Sequence, residues 1–170
     1  MLVLSTDDLR AVTGFAAGCA EAVLDIFEAD RPDDPRPRDA IDAAWEFART
    51  GARGKALRDT AWAALNAAKA TDGAARDAAR AAMAAAGAAY LHPLPQATQV
   101  KHILGAAAHA ARAAELTAGD DPAVGAEHVA KAARRATPVV VDVLSRFPPA
   151  PDGGGRVGEL TRLLDATLRR

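Results

Sequence analysis

One cysteine, Cys19, stands in 170 residues. No intrachain disulfide can form, and such sparing use of thiols suits a reducing compartment. No apolar run approaches the roughly 18 residues of a membrane-spanning helix, and the opening MLVLSTDDLR carries no basic stretch ahead of an apolar one. The expectation is a cytoplasmic protein with no membrane partner. Aromatic side chains make up 4% of the chain, and β-branched residues gather in only a few short runs, which leaves little material for a sheet. Neither sign of charge prevails: 21 Lys and Arg against 22 Asp and Glu leave a formal charge of −1, with an isoelectric point near 6.4. Nucleic acid is therefore not expected as a partner unless a local patch draws it.

Reaction motifs are missing as well. The chain has no phosphate-binding P-loop, no dinucleotide fingerprint, no Ser-His-Asp arrangement and no HEXXH or E-x-x-H spacing. Nothing assigns a catalytic residue, a metal or a cofactor.

What is present in abundance is alanine, about a quarter of the chain, and alanine favours helix above all else. The expected fold is all-α: residues 1–170 as one domain, a compact bundle of seven or eight helices around a central apolar helix. That helix is predicted over residues 96–116. At 100° per residue, Val100, Ile103, Leu104, Ala107, Ala111 and Ala114 form one face, and Thr98, His102, Gly105, Ala106, His109, Ala113 and Leu116 form a second. Only a strip holding Lys101, Ala108, Arg112 and Glu115 is left for water, with the last two spaced to pair on the surface.

The other elements follow from caps and periodicity. Ser5 and Asp8 have capping-box spacing, and Leu9, Val12, Ala16, Cys19, Val23 and Ile26 continue as one seam. Cys19 falls inside that seam as a small buried thiol. Glu21, Asp25 and Glu28 line the opposite side, either as a solvated face or as an acidic docking stripe. Residues 30–38, DRPDDPRPR, break the chain before a helix that carries Trp45, whose indole N–H needs a partner if the ring is buried. Arg49, Arg53, Lys55 and Arg58 form a cationic junction ahead of a third helix, and an alanine-rich fourth runs over residues 74–90. Asp121 and Pro122 cap and open another helix. The run after Thr137 and Pro138 has strand propensity, but a lone strand would have no partner, so helix is expected. Residues 148–158, PPAPDGGGRVG, read as a flexible linker, or as a lid over a pocket, before a last helix.

The histidines decide whether a chemical site deserves consideration. His102 and His109 share a face but stand about 10 Å apart along the axis, too far to chelate one ion. Each alone can act as acid, base or hydrogen-bond donor. The residues that a pocket would gather are Tyr90, His92, His102 and His109, with Trp45 and Arg49 across from them.

The segments AWEFAR (residues 44–49), YLHPL (90–94), QVKHILGAAAHAA (99–111) and GRVGEL (155–160) resemble the Imm-5-like family of bacterial putative immunity proteins. Some members carry the label "exonuclease SbcC-like"; no Walker motif or carboxylate cluster here supports it. The resemblance implies a helical cytoplasmic protein that neutralises a cognate toxin by binding, with no catalytic role. A second class, a small-molecule-binding protein or enzyme with its pocket beside His102 and His109, is the alternative. No pattern in the residues assigns an oligomeric state.

Overall fold

The computed structural model describes residues 1–170. Nine α-helices follow one another: α1 Thr6–Glu21, α2 Leu24–Asp30, α3 Arg36–Thr50, α4 Lys55–Lys69, α5 Gly73–Gly87, α6 Val100–Thr117, α7 Pro122–Arg135, α8 Pro138–Ser145 and α9 Gly155–Leu168. Two 3₁₀ turns, Ala88–Tyr90 and Ala97–Gln99, join α5 to α6, and there is no strand. The all-α expectation is met, with one helix more than the sequence suggested.

Local chemistry explains most of the boundaries. The Ser5 hydroxyl accepts the Asp8 amide while the Asp8 carboxylate accepts the Ser5 amide, both at 3.0 Å, so the capping box forms. Asp121 accepts the Ala123 amide at 2.9 Å and Thr137 the Val140 amide at 3.4 Å, which starts α7 and α8. Gly51 closes α3 in the left-handed region at φ 71°, sending its amide to the Phe47 carbonyl. The valine run after Pro138 is helical, as expected.

The interior is one hydrophobic cluster of 46 buried residues, about half of them alanine. Alanine allows backbones to approach closely, and α5 against α6 is the most extensive helix pairing, followed by α4 against α5. Each buried methyl gives only about 0.8 kcal/mol. The larger contributions come from the few big side chains that are fully enclosed, among them Phe27, Ile41, Phe47, Ile103, Leu104, Leu144, Leu160 and Leu164. Helix α6 packs on α1, α5, α7, α8 and α9, while α5 packs on α1, α2, α3, α4 and α6. These two helices share the middle.

Three expectations need correction. The first seam is not one helix: it breaks at Ala22 and Val23, and Val23, at φ −121°, caps nothing with its apolar side chain. The break turns the chain so that Val23, Leu24 and Phe27 are all buried. Second, Ala108 and Glu115 do not lie on a water-facing strip, because both are fully buried. Glu115 does pair with Arg112, at 3.0 Å, but inside the protein, and Arg156 of α9 also grips it with 3.1 Å bonds from Nε to both carboxylate oxygens. Third, residues 148–154 are tied down. The Ala150 amide donates to Asp165, Arg162 donates to the Pro151 and Gly153 carbonyls, and Arg169 donates to the Phe147 and Pro148 carbonyls. A proline- and glycine-rich composition gave the look of a linker, whereas α9 supplies partners for its backbone.

Candidate functional site

Tyr90 sits in the 3₁₀ turn that follows α5, and this turn brings its ring against the start of α4. The Arg53 and Arg58 guanidiniums lie 5.7 and 5.8 Å from the ring centroid, within reach of the ring's negative face. Arg53, Gly54, Lys55, Arg58, Asp59 and Tyr90 line a hollow of about 550 Å³. Gly54, with no side chain, caps α4, and the first turn of that helix holds no acid, so its amide dipoles add to the positive field. Asp59 is the one acid of the hollow, and it lies 3.7 Å from Lys55.

A second concavity, about 590 Å³ and open to solvent, continues from Tyr90 between α4, α5 and α6. Arg58, Ala61, Trp62 and Leu65 come from α4, Met83 and Gly87 from α5, and Lys101 and His102 from α6. Trp62 is 61% exposed, and Tyr90 in the same wall is half-buried. Neither Arg58 nor Lys101 has a hydrogen-bond or ion-pair partner within the chain. Burial lowers the pKa of His102, the charges of Lys101 and His92 add to the effect, and the Gly87 carbonyl opposes it. The ring is therefore neutral at pH 7 and offers one donor and one acceptor.

The structure thus brings together Tyr90 and His102 and leaves the other sequence candidates outside this groove. His92 is exposed, with its amide donating to the Gln99 side chain at 3.1 Å. His109 lies 3.1 Å through Nδ1 from Asp77, itself almost fully buried, and this pair ties α6 to α5. Trp45 is half-buried on α3 and donates to Glu21 at 2.5 Å, which answers the demand of its indole N–H. It lines a different pair of hollows, of about 320 and 250 Å³, together with Gly18 and Arg135. Arg49 is exposed and pairs with Glu46. Trp45 lies against Gly14 and Glu21 of α1 rather than by the histidines, and where α3 packs on α1 the Arg10 side chain donates to the Ala48 and Arg49 carbonyls.

Residue periodicity had no means of selecting Trp62, Met83 and Lys101 as a site. The available signal was that Trp62 falls off the Leu57, Ala61, Ala64, Leu65 and Ala68 seam, a large aromatic where a polar residue would be ordinary. The acidic stripe loses most of its freedom: the break between α1 and α2 separates Glu21 from Asp25 and Glu28, Glu21 receives Trp45, and Glu28 receives Arg38 through two bonds. Cys19 lines a small alanine-walled hollow of about 200 Å³ with His128 and Arg135. Burial pushes its thiol up to about 12 against the nearby Arg135 charge, so it carries its proton at neutral pH. No three His, Cys, Asp or Glu side chains converge in a way that could hold a metal ion.

The profile of one family, described as "Imm-5 like putative immunity protein", matches residues 2–137. The chain belongs to the Imm-5 like family. The matched stretch takes in α1 to α7, hence both walls of the Imm-5 like groove, and stops short of α8 and α9. No curated protein and no solved structure matches. The Imm-5 like chain has no helix long and apolar enough to cross a membrane.

Proposed function

We propose that this protein neutralises a toxin by stoichiometric, non-enzymatic binding in the cytoplasm, and that the α4–α5–α6 groove is the surface that meets it. The observation that carries this reading is the groove itself: Trp62 exposed, Tyr90 in the same wall, and Arg58 and Lys101 with no hydrogen bond or ion pair inside the chain. Tryptophan, tyrosine and arginine are the residue types that dominate binding energy at protein interfaces. Membership of an immunity family supports a protein as the partner. The open form of the groove supports it too, since small-molecule sites enclose most of their ligand.

Titrating the activity of a toxin against which this chain protects cells tests the reading. Inhibition should reach its end point at one equivalent, with a complex that survives gel filtration. Protection by far less than one equivalent would mean turnover and would replace the binding reading by an enzymatic one.

The alternative, a small-molecule site, draws on one specific feature: neutral His102 stands beside Tyr90 in the same groove. It requires a small molecule retained by the parent chain and lost on His102→Ala at little cost in stability. Direct binding requires instead that Trp62→Ala and Arg58→Glu outweigh His102→Ala in loss of protection.

A further inference from the structure

The Tyr90 end of the groove shows what a partner has to carry. Two guanidiniums, from Arg53 and Arg58, stand beside one ring, and no carboxylate neutralises either. Arg53 makes a single long bond, 3.5 Å, to the Ala89 carbonyl, and Arg58 makes none. The acid in the hollow, Asp59, is beside Lys55 instead. Both guanidiniums line one hollow, and an anion seated there gains charge-assisted hydrogen bonds and balances unneutralised positive charge. A guanidinium stacked on an aromatic face keeps its in-plane N–H groups for such an acceptor. Arg58 lines both concavities, so the anion position runs directly into the apolar wall of Ala61, Trp62, Leu65 and Met83.

We infer that the groove receives an acidic segment of the partner, with a carboxylate at Arg53 and Arg58 against Tyr90 and an apolar side chain between Trp62 and Met83. Lys55 and Lys101 extend the positive rim at either end and steer the encounter. This rests on the protein-binding reading above. A nucleic acid fits less well: single strands need a cationic track along several nucleotides, whereas these cations are confined to one groove on a chain of net charge −1.

The test uses Trp62 as its own reporter. Trp45→Phe leaves Trp62 as the sole tryptophan, and calorimetry on the unsubstituted chain controls for the loss of Trp45. The probes are a synthetic peptide of glutamates and aspartates around two leucines, the same peptide with lysines in place of the acids, and oligothymidylate. The acidic peptide should shift Trp62 emission to the blue and saturate, more weakly as salt is added. Arg53→Ala with Arg58→Ala should weaken it by about tenfold or more. The inference is overturned if the acidic peptide gives neither shift nor heat up to about 1 mM, or if the lysine peptide or oligothymidylate binds as well. Failure of the peptide alongside a one-to-one toxin complex would refute the acidic segment alone; absence of any such complex would refute the protein-binding reading itself.

Discussion

Two clusters of charge in this molecule are built on opposite principles. At the junction of α6, α7 and α9 the Glu115 carboxylate is fully buried, and Arg156 and Arg112 satisfy it, with Glu159 and Asp120 pairing the outer sides of those arginines. At the α4–α5–α6 groove Arg53 and Arg58 lie beside Tyr90 and no acid pairs with either, since the Asp59 of that hollow lies by Lys55. The first cluster is complete without any other molecule. The second has no such pairing, and under the proposed function the contrast separates charge that holds the fold from charge kept for recognition.

Removing one partner from the buried cluster should have the largest effect. Arg156→Ala leaves Glu115 under-compensated in the interior and should cost about 3–5 kcal/mol in urea unfolding. Arg53→Ala with Arg58→Ala should stay within about 0.5 kcal/mol of the parent. Equal losses from the two variants would erase the distinction. The next largest effect belongs to Gly125 of α7, where a methyl group would fall inside the Glu115 carboxylate. Gly125→Ala should therefore cost about 1–3 kcal/mol through overpacking, whereas Gly54→Ala at the groove, where a methyl meets nothing, should cost far less.

Acidity sharpens the comparison further. Burial alone would raise the pKa of Glu115, but the hydrogen bonds from Arg156 and Arg112 outweigh it and hold the carboxyl below its ordinary 4.5. Its contribution is present in full above that value and is lost as pH falls through the lower folded value. His102 and His128 are lowered from 6.5, chiefly by burial. Protonation is disfavoured in the folded chain, so stability should already slip as pH drops below 6.5, before the steeper carboxylate loss. Unfolding series at pH 8, 6, 4 and 2.5 should show both steps, and His102→Gln should flatten the first without moving the second. A small effect of the opposite sign is expected at Thr13, whose buried hydroxyl has no partner. Thr13→Val should stabilise the chain by about 1 kcal/mol in the same assay.

Features written in local sequence were legible. The Ser5 and Asp8 capping box, the Asp121 cap and the helical run after Pro138 all form as their residues imply. Features set by distant partners were not. Glu115 looks like a surface residue three places from Arg112, and its burial depends on Arg156, 41 residues later. The break at Val23 carries no glycine or proline, and packing of Leu24 and Phe27 imposes it. Of the six site candidates the groove gathers only Tyr90 and His102, because helix periodicity defines faces but not which faces of different helices meet. His109 went instead to Asp77, 32 residues away.

The most direct measurement is a titration of toxin activity with the parent chain and with Arg53→Glu/Arg58→Glu, alongside urea unfolding of both. The account predicts inhibition by the parent ending at one equivalent, none by the variant, and the same unfolding midpoint for the two. Full inhibition by the variant at one equivalent would show that these arginines are not held in reserve for a partner.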